Sequence, residues 1–377
     1  MDAISEQHLS RLADSLGATR REVKTAAATA RANPFDAKDE PGVWDDHVAI
    51  PVKTASFSAS KNWRVAAVDG GVIARELHGS VLSVLKACAV EFTYLPDGSF
   101  DVKSGVRAWP GKRVPIMVST EYGLDSTEFH WFVNLSRLRL EIQAARRAIE
   151  QFTPDVLLLG GSIVPQPADK PREHSILNDA YAEVVESFKA LYQDCEKNNV
   201  LLAGVNKDSR GKQLTHYLPH VIPALAPFRA RLERLGDSVF LSELLKEGER
   251  SFAFAYSQAT DVNPIMRDLG PWAKTIASYY LRPSALDRPV RVDLFLPELL
   301  KGQKGAAREK VNASASWLSR LCAINARYAY PAVLIEADLR AAVRPDEFER
   351  VLAQLKTKTG ANNPVFFELR RNSRPFR

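Results

Sequence analysis

The sequence contains few cysteines and no long apolar run. Its three cysteines, Cys88, Cys195 and Cys322, are far apart and odd in number, which excludes a disulfide framework and a zinc site built on cysteine pairs. No stretch approaches the roughly 18 consecutive apolar residues of a membrane span. The N-terminal residues also lack the basic and then apolar pattern of a secretory signal. We therefore expect a cytoplasmic protein that has no membrane segment.

Two nucleotide-binding motifs are missing as well. The sequence contains neither a Gly-rich loop that ends in Lys-Ser/Thr nor a Gly-x-Gly-x-x-Gly turn, and these loops are the ones that hold the phosphates of ATP or of a dinucleotide. This counts against a nucleotide-dependent α/β enzyme. Any use of ATP would therefore belong to a partner.

The composition is that of an ordinary globular protein. The chain has 377 residues, of which 45% are hydrophobic and 25% are charged, and this length suits one large α/β domain with additions or two domains. The net charge is +6, although residues 1–60 hold seven Lys/Arg and nine Asp/Glu. The remainder is therefore clearly basic, and its last eight residues include four arginines. A basic body favours a polyanionic partner such as nucleic acid, and the alternative is a solvated basic surface.

Apolar spacing predicts a helical N-terminal extension followed by an α/β domain. Residues 4–32 repeat apolar side chains at helical spacing, and the prolines and acids of residues 34–46 predict a linker, so we divide the chain into residues 1–60 and 61–377. Strands that cluster early and then alternate with helices favour a mixed sheet. The predicted strands are 65–68, 72–77, 81–94, 114–118, 156–159, 200–205, 252–256 and 290–295. The predicted helices are 134–151, 175–198, 311–325 and 345–356, and residues 332–337 fit a strand or the start of a helix.

The most informative stretch is residues 65–73, Val-Ala-Ala-Val-Asp-Gly-Gly-Val-Ile. A short apolar run ends in Asp69, and two glycines follow. Many nucleases and phosphotransferases place the first ligand of a divalent metal at the end of a buried strand in this way. Asp-Gly-Gly is also ordinary hairpin chemistry. We therefore predict two paired strands around a turn at Gly70 and Gly71, with Asp69 as a candidate metal ligand.

Three further residues extend this site. Glu141 lies at the edge of the core-facing side of a predicted helix, and the alternative is an exposed glutamate paired with Arg137. Lys207 follows a buried strand, where a lysine can hold a phosphate, and the alternative is a lysine on a surface loop. Asp338 follows the apolar segment 332–337, and the alternative is a helix N-cap.

The three carboxylates among these candidates, Asp69, Glu141 and Asp338, could converge on one or two metal ions. Hard oxygen ligands select Mg²⁺ or Mn²⁺ over zinc. Two such ions, roughly 3.5–4 Å apart, stabilise both the attacking and the leaving oxygen of a phosphodiester displacement. The pattern therefore favours metal-dependent cleavage of a nucleic acid.

The order of the segments resembles the NurA family, the nucleases that work with HerA-type hexameric DNA translocases. The resemblance implies an RNase H-like α/β core, a homodimer, dependence on Mn²⁺ or Mg²⁺, 5′ to 3′ resection of DNA ends, and docking on a ring-shaped ATPase. The matching pieces are Ala67-Val-Asp-Gly-Gly71, Leu138-Arg-Leu-Glu141, Leu157-Leu-Leu-Gly-Gly-Ser-Ile163, Gly204-Val-Asn-Lys-Asp-Ser209, Arg291-Val-Asp-Leu-Phe-Leu-Pro297 and Tyr330-Pro-Ala-Val-Leu-Ile-Glu-Ala-Asp338.

The resemblance also implies roles for individual residues. Asp69 matches the first acidic ligand and Glu141 the acid on the helix. Lys207 matches a recurrent lysine that would stabilise the scissile phosphate. Tyr330 would position nucleic acid or a water. Asp338 stands where family members often have His or Asp, which makes it the third expected metal ligand.

One position departs from the family pattern. In the family, the acid of the second strand normally begins an Asp-Gly-Ser turn. This chain has Gly160-Gly161-Ser162 at that place, and glycine has no side chain to bind a metal. Asp155 is too far away to substitute, since five extended residues span about 16 Å. We therefore predict a DNA nuclease that works with a HerA-like translocase in repair or antiviral defence. The alternative is a degenerate dimer that regulates the translocase and binds DNA without cleaving it.

Overall fold

The structure is a computed structural model that describes residues 6–35, 42–43, 45, 47–53, 62–111, 113–257, 260–359 and 369. Most of the predicted acidic linker and the C-terminal arginine cluster lie outside these residues. The helices are α1 (Glu6–Ala32), α2 (Ser126–Phe152), α3 (Asn178–Lys197), α4 (Gln213–Val221), α5 (Arg229–Leu232), α6 (Asp237–Leu244), α7 (Pro264–Leu269), α8 (Lys304–Leu321), α9 (Ala332–Ala341) and α10 (Pro345–Lys358). The strands are β1 (Ala49–Pro51), β2 (Trp63–Glu76), β3 (Ser80–Tyr94), β4 (Val106–Trp109), β5 (Met117–Tyr122), β6 (Val156–Leu159), β7 (Leu201–Asn206), β8 (Glu249–Ser251), β9 (Phe254–Ala255), β10 (Ile276–Arg282) and β11 (Val290–Phe295).

The chain forms two compact units and enters each of them more than once. The first unit consists of residues 1–55, 206–258 and 277–330, and the second consists of residues 56–205, 259–276 and 331–377. The helix α1 therefore belongs to a unit that also contains later parts of the chain. The division into an N-terminal extension, residues 1–60, and a nuclease domain, residues 61–377, stays a prediction.

The second unit is built on a mixed sheet in the order β7-β6-β2-β3-β4, with β5 also paired to β3. The long strand β2 is antiparallel to β3 and parallel to β6, which is parallel to β7. The helices α2 and α9 both pack on β2 and β3, and α3 packs on α2. Together with the helical N-terminus, this confirms the predicted fold class, a mixed α/β sheet of the RNase H-like type flanked by helices.

The predicted hairpin at Gly70 and Gly71 is wrong. Strand β2 runs through both glycines as one strand of 14 residues, and its register with β3 is unbroken across Asp69. The glycines serve close approach instead of a turn. A Cβ atom on Gly70 would lie 2.5 Å from Oε1 of Glu141, and one on Gly71 would collide with the carbonyl oxygen of Ala341. The missing side chains therefore let α2 and α9 come close to the strand.

Other predicted elements agree with the structure in type more often than in length. Strands β6 and β11 have the predicted bounds, whereas α2 begins eight residues before its predicted start at residue 134. Residues 332–337 lie in helix α9. Of the two alternatives for this segment the helix is therefore confirmed, and Asp338 stands inside it, so the interpretation of Asp338 as an N-cap is wrong. Strand β4 was not predicted, because its four residues are half-buried or exposed and show no apolar run.

The first unit contains strands in the order β1-β8-β10-β11, with β9 also paired to β10. Its core joins the second half of α1 to α4 and α6. Val23 and the small residues Ala26, Ala27 and Ala30 are buried there, since short side chains let one helix approach another closely. The first half of α1 differs, because Leu9, Leu12 and Leu16 are exposed by 51 to 71%.

Candidate functional site

Asp69 lies where β2 loses its parallel neighbour. Val68 pairs with Leu159, the last residue of β6, and the amide of Gly160 donates to the carbonyl oxygen of Val68 at 3.0 Å. Position 160 is therefore beside Asp69, and a Cβ atom on Gly160 would lie 2.5 Å from Oδ2 of Asp69. Beyond this point β6 no longer covers the edge of β2. An acid at position 160 would share its surroundings with Asp69.

Asp69 and Glu141 approach this open edge from opposite faces of the sheet. Successive strand residues point to opposite faces, and Gly70 meets α2 whereas Gly71 meets α9. Asp69 therefore shares the face of Gly71 with Cys88, its partner in register, whose Sγ lies 3.4 Å from the carbonyl oxygen of Ala337 in α9. The carboxylate of Glu141 comes from α2 and lies against Gly70. Both acids therefore lie beside the part of β2 at which β6 ends.

Glu141 is a buried acid in an acidic environment. It is 9% exposed, and burial raises its pKa to about 7 against the opposing charge of Arg137, with Asp69 and Asp169 adding to the rise. Nη1 of Arg137 lies 2.5 Å from Oε1 of Glu141. The pair with Arg137 that the sequence allowed is therefore present. It is not the exposed helix pair of that alternative, because Glu141 is buried and lies against Gly70, the residue after Asp69.

Asp169 is an acid that the sequence analysis missed. It ends a short 3-10 turn, Pro167–Asp169, and is 6% exposed. Its Oδ2 accepts a hydrogen bond of 2.7 Å from the amide of Gln166, and the side chain of Asn134 also bonds to it. Burial raises the pKa of Asp169 against these bonds and the charge of Arg137. The available signal was an aspartate two residues after a proline, which is typical of a self-capped turn.

On α9, the acid directed toward the buried face is Glu336 and not Asp338. Asp338 is exposed, whereas Glu336 is half-buried and pairs with Arg340 at 2.7 Å. Burial raises the pKa of the Cys88 thiol to about 12, opposed by Arg340, and Asp69 and Glu336 add to the rise. Glu336 and Asp69 therefore both act on Cys88. Helical geometry explains the difference, because residues two apart on a helix point in different directions.

Lys207 and Tyr330 contact each other within the first unit. Nζ of Lys207 lies 4.8 Å from the centre of the Tyr330 ring and 6.0 Å from that of Tyr328. Tyr330 is buried and Tyr328 is 44% exposed. A cation over an aromatic ring is held in place by the charge distribution of the ring. Lys207 lies in the turn after β7 and is half-buried, and its role as a phosphate ligand stays a prediction.

The carboxylates Asp69 and Glu141 have the charge that a divalent cation requires, but they are only two. Among the residues that the structure describes, no group of three or more His, Cys, Asp or Glu side chains is arranged to hold a metal ion. The set Asp69, Glu141 and Asp338 therefore stays a prediction. The pair Asp69 and Glu141 offers hard oxygen donors, and their mutual repulsion favours a cation between them.

The fold and the site define a class, a mixed α/β protein that gathers buried carboxylates beside its central strand. A family model for the NurA domain matches residues 64–343. The chain therefore belongs to the NurA family, which confirms the resemblance inferred from the motifs.

Solved structures agree with this assignment at the level of the fold. The NurA nuclease from Sulfolobus solfataricus is 15% identical with a TM-score of 0.53, over 96% of this chain and 98% of that chain. A NurA crystal structure with manganese is 10% identical with a TM-score of 0.54, over 97% and 100% of the two chains. A comparison with curated proteins gives no match. Separately, no helix within the described part of the chain is both long and apolar enough to cross a membrane.

Proposed function

We propose that this chain is a metal-dependent DNA nuclease that hydrolyses phosphodiester bonds. The observation that carries the proposal is the approach of Asp69 and Glu141 to one edge of β2, at the point where β6 ends. Two buried acids that repel each other make the folded protein less stable, so a structural role alone does not account for them. Membership of the NurA family supports the same interpretation.

Asp69 and Glu141 would hold Mn²⁺ or Mg²⁺. A divalent cation, when bound, supplies a hydroxide nucleophile near neutral pH and stabilises the charge of the reacting phosphate. A NurA relative has been crystallised with manganese, which supports that metal here. Burial keeps the Glu141 carboxylate away from bulk water, and Gly70 lets it reach the strand edge.

Three residues complete the proposed machinery. Lys207 would stabilise the scissile phosphate, and its contact with the Tyr330 ring supports a fixed position for the ammonium group. Tyr330 would position the nucleic acid or a water, partly through Lys207. Asp338 would contribute the third carboxylate from α9, where its exposure leaves it accessible to a ligand.

The wider setting of the proposal is a nuclease that resects 5′ ends together with a HerA-like hexameric ATPase, as a homodimer in the cytoplasm, in repair or antiviral defence. The exposed leucines of α1, Leu9, Leu12 and Leu16, support a protein partner, because contiguous exposed apolar groups mark interaction surfaces. The basic net charge supports DNA as the substrate. Three free, buried cysteines agree with a reducing compartment.

A second function has its own supporting observation. Position 160 is glycine where an acid would stand directly beside Asp69, and Arg137 already pairs with Glu141. Loss of one acid and neutralisation of another both weaken the attraction for a cation. A degenerate dimer that binds DNA and regulates the translocase without cleaving would keep the fold and lose the chemistry.

A nuclease assay separates the two functions. The purified chain is incubated with linear DNA in Mn²⁺, with and without a HerA-type partner, beside Asp69→Ala. We expect degradation, and a loss of at least about 100-fold in the variant, because removal of one group that organises transition-state charge has effects of this size. Asp155→Ala is the matched control, since Asp155 lies at the other end of β6 and accepts the amide of Arg64. Absence of cleavage in every condition, with retained partner binding, would support the degenerate dimer.

A further inference from the structure

The α2 face that carries Glu141 also carries Asn134 and Arg137. These residues stand at positions i, i+3 and i+7, so they form one stripe on the helix, about 10 Å long. Asn134 bonds to Asp169 at one end of the stripe, and Glu141 reaches Gly70 at the other end. Arg137 stands between the two buried acids.

Arg137 is the cation of this cluster. Its guanidinium pairs with Glu141 at 2.5 Å, and its side chain is 30% exposed. Asp169 and Asp69 also act on it electrostatically. Arg137 therefore pairs directly with Glu141, a proposed metal ligand, and it also lies in the field of Asp169 and Asp69. A divalent cation at Glu141 would meet a positive charge that is already in place.

We propose that Arg137 is an intrinsic counter-ion that competes with a divalent metal for Glu141, and that Asp169 holds Arg137 when the metal binds. This inference rests on the proposed metal site. Asp169 acts through Arg137 and is a positioning residue. Its buried carboxylate comes from the turn Pro167–Asp169, is fixed by the amide of Gln166 and by Asn134, and would offer the guanidinium a second partner beside this stripe of α2. Release of Glu141 then leaves no unpaired buried charge, which is otherwise costly.

Calorimetric titration of the metal-free full chain with MnCl₂ at pH 8 tests the proposal. We expect Arg137→Gln to bind Mn²⁺ about 10-fold more tightly, because a competing positive charge is removed. We expect Asp169→Asn to bind it about 5-fold more weakly, because Arg137 then stays on Glu141. In the double variant the effect of Asp169→Asn should vanish, since it acts only through the arginine.

Two further variants separate this mechanism from a structural effect. Arg137→Lys keeps the positive charge and should bind Mn²⁺ within about twofold of the wild type. Arg139→Gln, which removes an exposed pair with Glu183 on the same helix, should change nothing. If Asp169→Asn fails to fold, the contrast between Arg137→Gln and Arg137→Lys decides the matter.

The outcomes are distinguishable. Equal effects of Asp169→Asn in the presence and absence of Arg137, or no gain in Arg137→Gln, would overturn the inference and leave the nuclease proposal intact. If neither the wild type nor any of the variants binds Mn²⁺, both the inference and the nuclease proposal would be overturned.

Discussion

Each of the two units contains an arginine paired with a buried carboxylate, and the pairs differ in the charges that surround them. In the first unit Arg250 is 1% exposed and makes a bidentate pair with Asp45 at 2.7 and 3.0 Å, while Asn312 accepts two further bonds from the same guanidinium. Asp45 also accepts the amide of Ala253 and pairs with the more exposed Arg308. In the second unit Arg137 pairs with Glu141 and also lies in the field of Asp169 and Asp69. Three carboxylates therefore act on this one guanidinium.

This difference distinguishes a charged pair that stabilises the fold from a charged cluster that could bind a cation. A buried pair whose donors and acceptors all have partners holds segments together, and it is costly to break because the remaining charge has no partner. Carboxylates that outnumber the guanidinium between them repel one another, and an added cation would relieve this repulsion. The carboxylate excess, and not burial of charge as such, is therefore the mark of the candidate site.

The largest expected effect follows from breaking the balanced pair. Asp45→Ala leaves the buried Arg250 guanidinium without its carboxylate, and we expect the free energy of unfolding to fall by about 3–5 kcal/mol. Asp69→Ala removes one of the mutually repelling acids of the second unit together with the bond that its carboxylate accepts from the amide of Gly70, and the metal-free protein should lose no more than about 1 kcal/mol. Urea unfolding of both variants in EDTA measures this. Equal losses would contradict the distinction between the two clusters.

A pH series sharpens the comparison. The pKa of Glu141 is raised from 4.5 to about 7 by burial. The folded state therefore binds more protons than the unfolded state between these values, and the stability of the metal-free protein falls as pH rises from 4.5 through 7. The full shift corresponds to about 3 kcal/mol.

Glu141→Gln should abolish this loss. In EDTA at pH 8 the variant should be more stable than the wild type by up to about 3 kcal/mol, and the gain should disappear as the pH falls below 4.5, where Glu141 becomes protonated in both states. Chemical unfolding at a series of pH values measures the difference. Glu183→Gln, at an exposed position of α3, is the control. A gain that does not change with pH would indicate relieved packing instead of charge.

The sequence predicted the helices and strands of the site better than the contacts between them. Periodicity found the helix of Glu141 and the bounds of β6, because one buried face imposes a regular pattern on each element. The motif order identified Asp69 and Glu141 as a pair. Local pattern could not show that Gly70 and Gly71 continue β2, because the reason is the approach of two helices that lie far away in sequence.

The acids that were missed or misread depend on partners distant in the chain. Asp45 was counted in an acidic linker, yet it is buried against Arg250, which lies 205 residues away. Asp169 belongs to the site through Asn134 and Arg137 on α2, and no pattern around Asp169 contains them. Glu336 and Asp338 are two residues apart, and only the helical rotation of α9 decides which one faces Cys88. Charge balance at a site is a property of the packed structure.

The smallest expected effect comes from adding charge to the unbalanced cluster. Gly160→Asp places a third acid beside Asp69. The backbone at Gly160 does not have the positive φ that favours glycine, and the obstacle is Oδ2 of Asp69, the end of a side chain that can rotate. We expect the metal-free variant to be less stable by about 1 kcal/mol through repulsion and to bind Mn²⁺ about 10-fold more tightly, a gain of about 1.4 kcal/mol.

Gly160→Asn separates charge from size in this experiment, because it has the same shape as aspartate and lacks the negative charge. If both variants lose stability and neither binds Mn²⁺ more tightly, the space beside Asp69 does not admit a ligand, and position 160 cannot supply a further carboxylate to the site. If only Gly160→Asp binds more tightly and DNA cleavage rises with it, the natural chain carries a weakened site. Tighter binding without any cleavage would instead favour the degenerate dimer, because a restored carboxylate set would then hold a cation and still leave the phosphodiester intact.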